Sequence, residues 1–257
     1  MNHDIHFMNA LILILSGIAG GFINTFAAGG SIAQIPAFLA SGLSPMIANT
    51  TNHVPVLLGF ATAVWKFHRQ GTMQWGPGLR ISIPILLGAV FGALTASVIN
   101  DRMTGYVLLA ALLLSLVLMV AKPDRWLRGS ESEIPLAIGP KLFFLSMLVG
   151  FWAGLIVIGS GIFLLLILVL VANLPVAQAN AIKVLSLGIA TLVAVTLFAI
   201  RGQIIWSAAI PVAIGSAIGS LIAARLVMLP GAGKWVYALI MVTLVTEILR
   251  IGSGMLH

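Results

Sequence analysis

The chain has 257 residues, 60% hydrophobic and only 7% charged, with a mean hydropathy of +1.15. A soluble domain carries roughly 25% charged residues, so this composition excludes the soluble classes: there is too little polar surface to cover a water-exposed core. The net charge of +7, from 13 Lys and Arg against 6 Asp and Glu, would suggest nucleic acid in a soluble protein, but here the basic residues lie mostly in short loops, where they set topology and meet anionic lipid headgroups.

Taken in chain order, apolar segments fall at about 8–28, 31–42, 46–67, 79–99 and 103–121, then at 141–158, 161–173, 177–200, 204–227 and 234–252. Most approach the roughly 20 residues that cross a bilayer core of about 30 Å. The expected fold is an all-α polytopic membrane protein, a multi-pass protein of the cell (inner or plasma) membrane. The longest polar stretch is the loop Lys122–Pro140. The N-terminus, MNHDIHFMNA, has no Lys or Arg and so lacks the charged region of a signal peptide. Cysteine is absent, which excludes disulfides, thiolate metal sites and thiol nucleophiles.

The segments read as five and five, with a short second and long third and fourth in each set. Residues recur in order: Gly21-Phe22 and Gly150-Phe151, Gly30-Ser31 and Gly159-Ser160, Pro45 and Pro175, Ala48-Asn49 and Ala179-Asn180. Further on, Gly71-x-x-x-Trp75 answers Gly202-x-x-x-Trp206, and Pro84, Gly88, Gly92 and Ala96 answer Pro211, Gly215, Gly219 and Ala223. The expectation is two repeats, 1–128 and 129–257, joined by a cytoplasmic loop at about 122–140. Each repeat holds four to five transmembrane segments, giving eight to ten in all. The glycine pairs four apart read as close helix packing, with a sliding or rocking seam as the functional alternative.

The short second segments, 31–42 and 161–173, give about 18–20 Å of helix at ~1.5 Å per residue. Each is a half-helix, a re-entrant arm or a strongly tilted span, entered through a glycine break. Counting a broken pair as one crossing makes the halves parallel; counting it as two crossings or a hairpin makes them inverted. Both schemes put nine basic residues inside and three outside, setting Lys183 aside. Inversion is favoured, because inverted repeats with broken helices are a recurrent transporter plan.

The breaks carry the chemistry. A helix restarting after Gly29-Gly30 exposes unpaired backbone N–H groups and the positive end of its dipole, which together bind anions. Gly159 and Gly161 do the same around the second restart, and Ser31 and Ser160 add hydroxyl donors. The bland alternative is a tight turn with serine capping the helix. The run Asn49-Thr50-Thr51-Asn52-His53 opens the third segment. Its Asn and Thr can donate to an oxyanion without fixed charge, or simply form a capping cluster. His53 can bind an anion, carry a coupling proton, or be a satisfied buried histidine.

Lys183, aligned with Asn52, is the sharpest position. A lysine in a spanning segment costs about 2.5–3.5 kcal/mol on insertion scales and faces a cavity or partner, unless its stem snorkels to the interface. Asn24, Thr25 and Gln34 flank the first break; Gln178 and Asn180 flank the second. Asn180 joins the binding set and the others read as outer lining. Glu247 pairs with Arg250 one turn on, or couples protons.

These features resemble the TauE/SafE sulfite exporter family, also called the TSUP transporters. The first copy is AGGSIAQIPAF followed by SPMIANTT; the second is IGSGIFLLLIL followed by LPVAQANAIK. The resemblance spans nearly the whole chain. Where the family pattern has three glycines, this chain has Gly29-Gly30-Ser31 and Gly159-Ser160-Gly161. The half-helix proline is kept as Pro36 but replaced by leucine in the second copy, whose threonine is also lost to Ala181-Ile182. The second site is therefore degenerate or differently tuned.

The resemblance implies transport of small sulfur-containing anions such as sulfite, organosulfonates or thiosulfate. The expected protein is a secondary carrier, not an enzyme, working by alternating access at a mid-membrane site. Its expected partners are the anion, a coupling proton or cation and the lipid bilayer, with no cofactor or metal. The absence of a Walker motif excludes a self-contained primary pump. Alternatives are a carrier or channel for a non-sulfur anion and, from Gly159-Ser160-Gly161 with a distant His53, an intramembrane serine hydrolase.

Overall fold

In the computed structural model the described residues are 7–95, 138–156, 158–229 and 231–255, with isolated positions between 113 and 120. The expected fifth segment at 103–121 and most of the central loop lie outside them. The helices are α1 (Phe7–Phe26), α2 (Ser31–Ala40), α3 (Pro45–Arg69) and α4 (Trp75–Thr95), then α5 (Pro140–Leu155), α6 (Ser160–Leu166), α7 (Val176–Ile200), α8 (Trp206–Leu226) and α9 (Ala232–Met255). A π-helical turn, Ile167–Val171, extends α6. No strand occurs among the described residues.

Local chemistry sets the ends. Ser44 caps α3 ahead of Pro45, which sits at the first helical position where its missing N–H costs nothing. Helices α3 and α7 end in the same motif. Gly71 and Gly202 take left-handed φ of 69° and 66°. The next residue then bonds back, Thr72 N–H to Phe67 O and Gln203 N–H to Phe198 O. A tryptophan follows in each case and opens the next helix.

Packing is reciprocal. Helix α1 lies on α8 and α5 lies on α4, while α3 and α7 pack against α8 and α4 respectively. Glycines make the first two contacts. A Cβ on Gly17 or Gly21 would strike Val212 O or Ser216 O, and on Gly215 or Gly219 would strike Ile14 O or Ile18 O. In the other pair, Gly88 and Gly92 face Met147 O and Phe151 O, and Gly150 and Gly154 face Ile85 O and Ala89 O. Backbone thus meets backbone along both seams, as small residues permit.

Apolar side chains face outward as well as into the core. Leu79, Ile83, Leu87, Phe91 and Leu94 form an exposed stripe on α4, and Ile210, Ile214, Ile218 and Ile222 one on α8. Inside are Thr25, Ser31, Gln34, Asn52, His53, Asn180 and Lys183, all buried. Exposed apolar stripes this long need lipid or protein against them. Helices α4, α7 and α8 are long and apolar enough to cross a membrane.

Candidate functional site

Helix α1 stops at Phe26, and the chain reverses through Ala28 and Gly29, whose φ angles are 107° and 98°. Helix α2 then folds back along α1: Gly30 fits against Gly20 O and the Asn24 side chain, and Gln34 reaches Gly20. The second break behaves alike. Helix α5 stops at Leu155, Gly159 has a φ of 81°, and Phe163 returns to stack edge-on with Trp152 at 5.8 Å. The Trp152 indole N–H donates to Ile158 O at 2.8 Å, pinning that turn.

The two breaks touch. A Cβ on Gly161 would lie 2.9 Å from the Ala28 Cβ and 3.8 Å from Asn24 Oδ1. Asn24 therefore stands beside both Gly30 and Gly161. Gly29, Gly30, Ser31, Gly159, Ser160 and Gly161 are all buried.

The last carbonyls of α1 have no helical donor and carry the negative end of its dipole. Side chains of α7 take them. Lys183 Nζ donates to Asn24 O at 2.9 Å, Thr25 O at 3.4 Å and Asn180 Oδ1 at 2.6 Å. Asn180 Nδ2 donates to Phe26 O at 3.1 Å. Lys183 is fully buried, so the snorkelling alternative is incorrect: its stem runs inward to the break, where three oxygens match its three N–H bonds.

A related contact occurs at the other break. His53 of α3 directs Nε2 to Ala153 O near the end of α5, at 3.4 Å, and Nδ1 to Asn49 O at 2.9 Å. Its ring packs edge-on against Phe198 at 5.0 Å. Each break is thus met by a basic side chain from the third helix of the opposite half. With both His53 nitrogens facing backbone carbonyls, the pairing with Ser160 that a serine hydrolase needs is not what this imidazole provides.

The remaining residues of the 49–53 run divide. Asn52 faces the first break, its Nδ2 donating to Ser31 Oγ at 3.0 Å. Thr50 and Thr51 instead hold the turn between α7 and α8. Thr50 Oγ1 donates to Gln203 O at 2.6 Å, and Thr51 Oγ1 accepts from Ile205 N–H at 3.2 Å. The Thr50 hydroxyl thus gives its O–H to that turn, whereas the Thr51 hydroxyl accepts there and keeps its own O–H. Asn49 is half-buried, and its carbonyl serves His53.

Sequence reasoning missed the backbone carbonyls of Asn24, Thr25 and Phe26 as the partners of α7. The available signal was the break itself, since a helix ending inside the membrane must hand its last carbonyls to some donor. Gln34, read as outer lining, is 1% exposed, and neither of its amide atoms has a partner. Among the described residues no cluster of His, Cys, Asp or Glu could hold a metal ion. The Glu247 and Arg250 side chains lie outside the described residues.

A bundle with lipid-type stripes outside, polar groups inside and helices ending at mid-bundle defines a helical membrane protein. The chain belongs to the sulfite exporter TauE/SafE family, whose model matches residues 13–248. It is 26% identical over 257 residues to the probable membrane transporter protein ORF9 of a Sinorhizobium species, covering 99% of this chain and 96% of that one. It is 30% identical over 227 residues to a probable membrane transporter protein of Haemophilus influenzae, covering 86% of each. With YfcA of Escherichia coli, also described as a probable membrane transporter protein, it shares 26% identity over 225 residues, covering 86% of this chain and 81% of the relative. No solved structure matches the chain.

Proposed function

We propose that the chain is a secondary carrier for a small sulfur-containing anion such as sulfite, an organosulfonate or thiosulfate. It resides in the cell membrane and works by alternating access between two inverted repeats, 1–128 and 129–257. The observation that carries this reading is the junction of the two breaks beside a buried cation: Gly161 against Ala28, with Lys183 bonded to Asn24 O at 2.9 Å. One positive charge inside the membrane, beside the N-terminus of α2, favours an anion there.

In this reading Gly29, Gly30 and Ser31 supply backbone N–H and hydroxyl donors, and Asn52 supplies its amide. Gly159, Ser160 and Gly161 bring the second break against the first. Asn180 and Lys183 supply the positive field, with the ammonium held by carbonyls, and His53 secures the end of α5. Thr50 and Thr51 position α3 through the α7–α8 turn. The folding back of α2 along α1 supports the hairpin count and hence inverted halves. The reciprocal packing of α1 on α8 and α5 on α4 supports a two-fold relation between them. Such halves can rock about a central site.

Counterflow into proteoliposomes tests the reading with sulfite, sulfoacetate, thiosulfate and phosphate. Stimulated exchange with at least one sulfur anion is expected. No stimulation by any of the three sulfur anions overturns it.

A further inference from the structure

Three unpartnered side-chain atoms belong to the first turn of α2 and to the α3 residue bonded to it. They are both amide atoms of Gln34 and Oδ1 of Asn52. Gln34 is 1% exposed and Asn52 is 0% exposed. Ser31 and Gln34 lie three residues apart, on one face of the ten-residue helix α2. Asn52 is tied to that face through Ser31 Oγ at 3.0 Å. Ser31 still has its own O–H to donate.

Buried amides without partners are costly, and a membrane interior supplies no bulk water to relieve them. The kind of atom left unpaired specifies what fits. Gln34 Nε2 is a donor and suits an anion oxygen. Gln34 Oε1 and Asn52 Oδ1 are acceptors, and no bare anion can satisfy an acceptor. Rotating the Gln34 amide by half a turn only exchanges its two ends; rotating that of Asn52 pairs its oxygen with the Ser31 O–H and frees a second donor, and in every orientation Gln34 Oε1 remains an acceptor without a donor. A ligand that completes this turn must therefore offer an acceptor for the amide N–H and an O–H of its own, which in the carrier reading means an oxyanion that bears a hydroxyl.

We infer that Ser31, Gln34 and Asn52 form the selective part of the site, that its ligand is a hydroxyl-bearing oxyanion, and that Gln34 is the specificity-determining residue. This rests on the carrier reading above and narrows it. Hydrogensulfite fits and the sulfite dianion does not; among sulfonates, those with a hydroxyl beside the sulfonate fit best. A monoanion also matches the single ammonium of Lys183, whose N–H bonds already go to oxygens of α1 and α7. A second negative charge would enter the membrane without a partner. Dihydrogenphosphate shares this chemistry, so the experiment separates the two sources.

The test uses the purified full chain in proteoliposomes. Hydroxymethanesulfonate and ethanesulfonate are nearly equal in size and both monoanionic near neutral pH, but only the first has an O–H. Wild type is expected to take up hydroxymethanesulfonate with a half-saturation about tenfold lower. Gln34→Met, which keeps the shape and removes the amide, is expected to reduce that preference to under about threefold. Hydroxymethanesulfonate should raise the melting temperature of wild type but not of Gln34→Met. Competition by sulfite or by phosphate at pH 6 identifies the natural source. Equal handling of the matched pair by wild type overturns the inference, and so does a preference that survives in Gln34→Met. Uptake of none of these anions, sulfite included, overturns the carrier reading and this inference with it; uptake without discrimination overturns this inference alone.

Discussion

The Lys183 ammonium of α7 lies 2.9 Å from the carbonyl oxygen of Asn24, in the last turn of α1, across 159 residues of sequence. It stands where a free helix C-terminus would otherwise present unpaired carbonyls in the buried interior. Lys183→Met removes both the donor and a desolvated charge. The two changes oppose one another in stability, so the net effect should stay within about 2 kcal/mol. Transport is expected to suffer far more, because the buried ammonium beside the break is lost. Sulfur-anion uptake per folded protein should fall at least about tenfold, roughly the 1.4 kcal/mol of one good charge interaction. Full uptake at normal expression would remove Lys183 from the site.

Asn180 separates charge from packing. Its amide uses both ends, accepting from Lys183 at 2.6 Å and donating to Phe26 O at 3.1 Å. Asn180→Asp keeps the shape and gives Lys183 a carboxylate partner, which cancels the field. Uptake of an anion is expected to fall at least about tenfold, while the melting temperature falls less than in Asn180→Leu, because the new ion pair with Lys183 offsets part of the lost bond to Phe26 O. Asn180→Leu is expected to lower both. An Asp variant that transports normally would mean that Lys183 acts only as a structural clasp.

Much of the fold was legible because membrane segments are punctuated. Ser44-Pro45, Gly71 and Gly202 each mark a helix boundary that the backbone requires, and the expected segments other than 103–121, which lies outside the described residues, fall within a few residues of the observed helices. The short helix Ser31–Ala40 and the turns at Gly29 and Gly159 fall where length and glycine placed them. The π-helical turn Ile167–Val171 was not legible, because an unbroken apolar run has no periodic signal to lose. The clasp on α1 was illegible for a different reason. Lys183 was conspicuous, but its partners are backbone carbonyls, which no residue type announces. The contacts of Thr50 and Thr51 with the α7–α8 turn were illegible for the same cause: a hydroxyl that serves an anion and one that serves a turn look identical in sequence.

Thr50 and Thr51 accordingly give a stability prediction. Thr50→Val and Thr51→Val each remove one bond to the α7–α8 turn and should each cost about 1 kcal/mol in unfolding measured in detergent. Half-saturation for the transported anion should be unchanged in Thr50→Val, whose hydroxyl gives its O–H to Gln203 O, and can rise only in Thr51→Val, whose hydroxyl keeps a free O–H. A threefold or larger rise in half-saturation, with stability intact, would return the residue concerned to the binding set.

The glycine seams distinguish a packed joint from a sliding one. On α4, a Cβ at Gly88 would strike Met147 O, whereas at Gly76 nothing lies within 4 Å. Backbone cannot give way as a flexible side chain can, so Gly88→Ala must pry α4 from α5. The expected cost is about 3 kcal/mol, the upper end of ordinary overpacking, and would be read as a sharp drop in melting temperature or folded yield. Gly76→Ala serves as the control. It gains helix propensity with no clash and should be neutral or stabilise by up to about 1 kcal/mol. Gly215→Ala, facing Ile14 O on the other seam, should behave like Gly88→Ala if the two halves are built alike. Were the seams surfaces along which the halves slide, alanine would instead leave the melting temperature intact and slow uptake. A stable, slow Gly88→Ala would therefore move the alternating motion onto this joint.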